Sequence, residues 1–226
     1  MLYYLKKLVI IVLAINGLAC YSQIGADELI QKLKDKTSKV ISFEVDATVK
    51  IDVDFINIKD RQVRIKYEAP DKFEFDTKGL VLLPKNGVEM EYMTLFNEKH
   101  TAIEAGNELI GEVMTQIIKV IPESIDSDII LAQLWIDPQE NRIMRMKTFT
   151  RQSGSYLMDF EYSSNEDILP VRLVVTFEIQ NMSVPVKMMN DFMNDFSTES
   201  DSLPKDARVI IEYSNYDIST KQPILP

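Results

Sequence analysis

Cysteine, histidine and glycine are scarce in this chain, and each shortage excludes a class of protein. One cysteine among 226 residues rules out an intrachain disulfide framework. The single histidine, His100, rules out sites that need two imidazoles, such as the H-E-x-x-H zinc motif. Seven dispersed glycines argue against a glycine-rich nucleotide-binding fold. The net charge of −10 makes nucleic acid an unsuitable partner, because phosphate binding needs a basic surface.

Catalytic motifs are also missing from the sequence. There is no G-x-S-x-G nucleophile elbow. Gly106 and Gly111 have the spacing of a phosphate-binding loop, but Glu112 follows where a lysine is needed. His100 lies beside Lys99 in a predicted loop and is expected to face solvent. We therefore expect no enzymatic activity, no cofactor and no metal site.

The first 19 residues have the pattern of a signal peptide. Lys6 and Lys7 form a positive segment, and residues 8–19 form an apolar stretch too short for a bilayer span of about 20 residues. This pattern predicts export to the periplasm and a mature protein without a transmembrane helix. The alternative interpretation is a buried N-terminal helix.

The residues before Cys20 resemble a bacterial lipobox. Residues 17–20 read GLAC, with the leucine one position later than in the usual motif. Cys20 is therefore a candidate lipidation site. Cleavage by ordinary signal peptidase after Ala19 or Ser22 is the alternative, since both are small residues. Lipidation favours a membrane-anchored protein, and cleavage without it favours a soluble one.

Hydrophobic periodicity divides the rest of the chain into a helix followed by strands. Residues 26–39 have one apolar side, which predicts a first helix. Residues 43–55 alternate between apolar and polar, which predicts a strand of about 13 residues, roughly 43 Å long. Such a strand is typical of a large antiparallel sheet with one packed and one wet face. We count about ten strands, which indicates an α+β fold without internal repeats or linkers.

Two further segments have helical spacing. Residues 108–120 carry a wide apolar face and predict a second long helix, which would end near Pro122. Residues 182–196 form a Met-rich helical excursion with a stripe of Met188, Met189, Phe192, Met193 and Phe196. This stripe either closes one end of the core or covers an apolar cavity as a lid, because methionine adapts to varied apolar ligands.

Four short stretches, in this order, resemble the LolA-like outer-membrane lipoprotein-sorting family. They are DELIQKLK at 27–34 followed by the long strand, YEAPDKFEFD at 67–76, LWIDP at 134–138, and LP at 169–170 before another strand. Each motif is short, and their order is the stronger indication. The similarity extends over about residues 25–218 and favours a single LolA-like domain at 20–226.

The resemblance implies a large curved antiparallel sheet, an incomplete β-barrel, with helices covering its concave face and acyl chains held between. Under that reading the candidate ligand-binding residues are apolar side chains of the strands, the second helix and the Met stripe. They are Val45, Val49, Ile51, Phe73, Phe75, Tyr92, Leu109, Val113, Met114, Ile117, Trp135, Met188, Met189, Phe192 and Met193. A dry core would use the same residues.

The leading functional hypothesis is a periplasmic carrier or acceptor that binds lipoprotein acyl chains or another lipid without covalent chemistry. It implies a docking protein at the inner or outer membrane, and we expect a monomer. The alternative is a non-enzymatic structural or regulatory envelope protein that uses the same fold to bind a protein partner. A filled core without lipid would favour the alternative.

Overall fold

The computed structural model describes residues 25–53, 56–57, 59–70, 72–77, 95–96, 99–151, 154–165, 167–178 and 206–221. One helix is described from end to end, and none in this part of the chain is long and apolar enough to cross a bilayer. The elements are α1 (Ala26–Thr37), β1 (Val40–Val53), β2 (Ile56–Asn57), β3 (Arg61–Glu68), β4 (Lys72–Thr77), β5 (His100–Ile110), β6 (Val113–Pro122), β7 (Ile129–Asp137), β8 (Arg142–Thr150), β9 (Ser155–Glu161), β10 (Arg172–Glu178) and β11 (Asp206–Thr220).

Helix α1 confirms the predicted first helix. Its apolar side buries Leu29, Ile30 and Leu33, while acidic residues occupy the first turn and lysines the last. This charge distribution is favourable for the helix dipole. The Thr37 hydroxyl donates a hydrogen bond to the Leu33 carbonyl at 3.0 Å, where the helix ends. The helix therefore presents one apolar face to the sheet.

The strands form a single antiparallel sheet in the order β4-β3-β1-β11-β10-β9-β8-β7-β6-β5, with β2 paired to β1. β1 confirms the predicted long strand and spans 14 residues. It pairs with β11 on one side and β3 on the other. The sheet is not closed, and β4 and β5 are its two edges in the described part of the chain.

The position of α1 shows that the sheet curves. The helix leads directly into β1, yet it also contacts β5, which lies seven strands further along the sheet. In a flat sheet these two strands would be about 34 Å apart. A 12-residue helix is only about 18 Å long. The sheet must therefore bend around the helix, which lies on its concave face.

The concave face carries the hydrophobic core. Register partners on five consecutive strands, β6 to β10, all point to this side and are at most 1% exposed: Ile118, Leu134, Met146, Met158 and Val175. The alternating positions on the convex face carry many charged side chains. This division confirms the predicted sheet with one packed and one wet face.

The predicted second helix at residues 108–120 is wrong. These residues form the β5–β6 hairpin, in which Ile110 pairs with Val113 around a two-residue loop. Gly111 occupies the first loop position with a φ of +59°, the backbone that a type II′ turn requires there. Apolar side chains lie on both faces of the hairpin. In the sequence they therefore recur at intervals that match the period of a helix.

The large antiparallel sheet of the predicted α+β fold is thus present, but only one complete helix covers its concave face in the described part. His100, predicted in a loop, begins β5. The signal peptide at 1–19, Cys20 and the Met-rich excursion at 182–196 lie outside the described residues.

Candidate ligand-binding face

Side chains fill the middle of the concave face. Val45 and Val49 on β1 are 1% and 3% exposed, and both belong to one cluster with Leu29 and Leu33 of the helix. Leu95 and Phe96, described between two undescribed segments, are buried in the same cluster. In this region the side chains serve as core.

Stacked aromatic rings cross the concave face toward the β4 edge. Phe43 on β1 stacks on Tyr67 of β3 at a centroid distance of 5.2 Å, and Tyr67 stacks on Phe73 of β4 at 4.7 Å. Phe75 continues the row at 6.5 Å from Phe73. Exposure rises along the row, from 6% at Phe43 to 37% at Phe75. The row therefore leads from the core to the open edge.

The opposite edge of the same face also exposes apolar side chains. Leu109 on β5 and Met114 on β6 are register partners on the concave side, and each is 58% exposed. Together with Phe75 they place half-exposed apolar groups at both edges of the sheet. An apolar ligand could gain burial against these groups without displacing the core.

The convex face pairs its charges across the strands. Arg64 on β3 binds Asp46 on β1 at 2.9 Å, and this hydrogen bond, with a second from Asn215, holds the pKa of the Asp46 carboxyl below its usual value. Lys50 donates to Glu212 at 2.8 Å, which lowers the pKa of that carboxyl. Such ladders are typical of a solvated sheet face.

Trp135 lies in one of these convex ladders. Its indole Nε1 donates to the Glu108 carboxylate at 2.6 Å, and the Arg145 guanidinium lies 6.0 Å from its ring centroid. Arg145 in turn pairs with Asp159 at 2.6 Å. The tryptophan thus has partners on both sides and faces away from the concave surface.

Two buried hydroxyls on the concave face have no hydrogen-bond partner within the described part of the chain. Thr148 on β8 and Tyr156 on β9 are opposite each other in the register and are 0% and 4% exposed. Both hydroxyl oxygens are also fully buried. The sequence alone did not indicate this pair, because strand alternation places a residue on a face but does not show what surrounds its polar atom.

A pocket of about 400 Å³ lies near the ends of β1, β3, β4 and β11. Its lining combines Ile41 and Phe43 with charged residues such as Lys66 and Glu68. Among the described residues, no three potential metal-ligating side chains come together.

Comparison of the structure with solved structures identifies related folds at very low sequence identity. A LolA superfamily protein from Nitrosomonas europaea has a TM-score of 0.58 and 8% identity, over 88% of this chain and 96% of that chain. A putative outer membrane lipoprotein-sorting protein domain from Vibrio parahaemolyticus has a TM-score of 0.55 and 8% identity, over 88% of this chain and 96% of that chain. A DUF1329 family protein from Desulfovibrio piger has a TM-score of 0.56 and 10% identity, over 89% of this chain and 96% of that chain.

The chain has a LolA-like fold. No family model and no curated protein matches its sequence, so the likeness rests on structure. At these identities it shows the fold alone.

In this LolA-like sheet the predicted site residues fall into three groups. The concave face holds Val45, Val49, Ile51, Phe73, Phe75, Leu109 and Met114. The convex face holds Val113, Ile117 and Trp135, which therefore cannot line a hollow under the concave side. Outside the described residues lie Tyr92, Met188, Met189, Phe192 and Met193.

Proposed function

We propose that this protein is a non-enzymatic periplasmic carrier or acceptor that binds acyl chains at the open edges of its LolA-like sheet. The observation that carries the proposal is the half-exposed apolar side chains on the concave face at both edges, Phe75 on one and Leu109 with Met114 on the other. Large apolar side chains at the opening of a curved sheet suit an apolar ligand.

The energetics of lipid transfer support this use of the fold. Each acyl CH₂ that leaves a membrane costs about 0.8 kcal/mol unless a protein surface buries it. A carrier must therefore offer apolar surface that is not already filled by its own core. The exposed edge residues meet this requirement, whereas the buried centre of the concave face does not.

The N-terminal sequence supports an envelope location. If residues 1–19 act as a signal peptide and Cys20 is acylated, the protein is a membrane-anchored acceptor. If Cys20 is not acylated, a soluble shuttle is favoured. Labelling with a radioactive fatty acid, compared with a Cys20→Ser variant, separates these two forms.

The proposal is tested by removing the edge surface without touching the core. We expect Leu109→Ser with Met114→Ser to lose most binding of an apolar fluorescent dye, and most lipid seen by native mass spectrometry after mild purification from membranes. The fold should survive, because both side chains are 58% exposed.

The matched control is Ile103→Ser with Ile121→Ser in the same hairpin. These side chains are 46% and 40% exposed but lie on the convex face. They should leave dye and lipid binding unchanged. Equal losses in both double variants would contradict a binding surface on the concave side.

The packed centre of the concave face favours a second candidate, a structural or regulatory envelope protein that binds a protein partner. Met146, Met158 and Leu173 are completely buried there. This candidate predicts wild-type protein with no co-purified lipid and no dye binding. That result would exclude the carrier.

A further inference from the structure

Two hydroxyls in the core of the sheet lack hydrogen-bond partners among the described residues, and an unpartnered hydroxyl in apolar surroundings is costly. Thr148 and Tyr156 lie directly opposite each other on β8 and β9. Neither hydroxyl finds a donor or acceptor in the described part of the chain. Buried hydroxyls are almost always paired in native proteins, so such atoms call for an explanation.

The surroundings of the pair restrict what its partner can be. Thr148 faces Ala132 on β7, and Tyr156 faces Phe177 on β10 with a ring-centroid distance of 5.9 Å. These neighbours are apolar and uncharged. A carboxylate or phosphate would lose its hydration here without a counter-ion, whereas a neutral carbonyl oxygen accepts two hydrogen bonds at little cost.

The position of the pair places it near one end of the sheet. A single register pair, Phe149 with Ser155, separates it from the turn of the β8–β9 hairpin. A ligand that engages these hydroxyls has to enter the concave face from this end of the sheet. The hydroxyls are thus placed to hold a polar group of an otherwise apolar molecule.

We propose that the hydroxyls of Thr148 and Tyr156 donate hydrogen bonds to the carbonyl oxygen of an acyl ester, and so select ester-linked lipids over plain hydrocarbon chains. This inference rests on the proposed lipid binding. It adds a specificity determinant that apolar edge residues cannot supply, because apolar contacts do not distinguish an ester from an ether.

The test compares two ligands that differ in the carbonyl groups, dioctanoylglycerol and its dioctyl ether counterpart, by displacement of an apolar dye. We expect wild-type protein to bind the diester about tenfold more tightly, as two net hydrogen bonds allow. The combined variant Thr148→Val with Tyr156→Phe should bind both ligands equally, with its affinity for the diether unchanged.

The controls are the same substitutions at buried or half-buried hydroxyls that have protein partners. Thr115 donates to the Glu108 carbonyl at 2.6 Å and Tyr162 donates to the Ile143 carbonyl at 3.0 Å. Thr115→Val and Tyr162→Phe should lower the melting temperature and keep the ester preference. Thr148→Val and Tyr156→Phe should leave the melting temperature of the ligand-free protein unchanged or higher.

The outcomes separate the two proposals. Binding of both lipids by wild-type protein with no ester preference overturns the hydroxyl site and leaves the carrier intact. Binding of neither lipid overturns both. A fall of about 3 °C or more in the melting temperature of ligand-free Thr148→Val with Tyr156→Phe would show that the hydroxyls have partners within the protein, and would also overturn the site.

Discussion

At the β7–β8 hairpin, one guanidinium joins separate parts of the chain. Arg142 donates to the Ser164 carbonyl at 3.0 Å and to the Asn165 side chain at 3.1 Å. It also lies over the Tyr162 ring and 3.4 Å from the Asp137 carboxylate. The arginine and aspartate side chains are 9% and 6% exposed. Removal of one partner from a buried pair leaves the other charge without compensation.

We predict that Arg142→Met lowers the free energy of unfolding by about 3 kcal/mol in urea denaturation. Arg145→Met on the same strand is the control, because Arg145 pairs with Asp159 where both side chains are about one-third exposed. Its cost should be about 1 kcal/mol or less. Similar costs for the two variants would mean that burial of the Arg142 pair has no energetic consequence.

The same hairpin anchors the C-terminal end of α1. The Lys36 ammonium donates to the Glu140 carbonyl at 2.7 Å. Burial lowers the pKa of Lys36. The charged turn that follows the LWIDP motif therefore connects the helix to the sheet, which gives it a structural role in this fold.

At the scale of elements, the β5–β6 hairpin replaces a predicted helix, and Gly111 distinguishes the two conformations. A residue with a side chain at a φ of +59° costs roughly 1–2 kcal/mol. A helix would instead gain about 1 kcal/mol from alanine in place of glycine. No atom lies within 4 Å of a Cβ added at Gly111, so the effect of a substitution on stability depends only on the backbone conformation.

We therefore predict that Gly111→Ala destabilises the protein by about 1 kcal/mol, measured by chemical denaturation. Gly111→Asn is the control, since asparagine tolerates a positive φ better than alanine does and should cost less. A gain in stability from Gly111→Ala would indicate a helix and contradict the hairpin.

At the scale of the whole molecule, the curved sheet and its helix should unfold as one unit. Helix α1 precedes β1 and contacts β5, so it links strands that lie far apart in the order of the sheet. Its Leu33 is 2% exposed within the common core. Loss of this side chain should weaken packing across the concave face and not at the helix alone.

We predict that Leu33→Ala lowers stability by about 3 kcal/mol and shifts the unfolding transition seen by fluorescence of Trp135, the only tryptophan. The transitions by fluorescence and far-ultraviolet circular dichroism should coincide. Ile41→Ala, at a side chain 42% exposed, should have a much smaller effect. An unchanged fluorescence midpoint in Leu33→Ala would mean that the helix unfolds separately.

The amino-acid pattern alone determined the elements whose two faces differ in polarity. The first helix and the 14-residue β1 followed from periods of 3.6 and 2, because each has one apolar and one polar side. The β7–β8 hairpin followed from the Asp137-Pro138 turn signal between apolar runs. The order of these elements also indicated the LolA-like fold.

The tertiary structure alone decided the hairpin at residues 108–120, since apolar side chains on both faces of a strand imitate helical spacing. The β-branched residues between Val113 and Ile121, together with Gly111, were the signals that favoured strands. Only the register placed Trp135 on the convex face and paired Thr148 with Tyr156 across β8 and β9. Periodicity describes a segment relative to its own axis, whereas partners across a sheet depend on how distant segments pair.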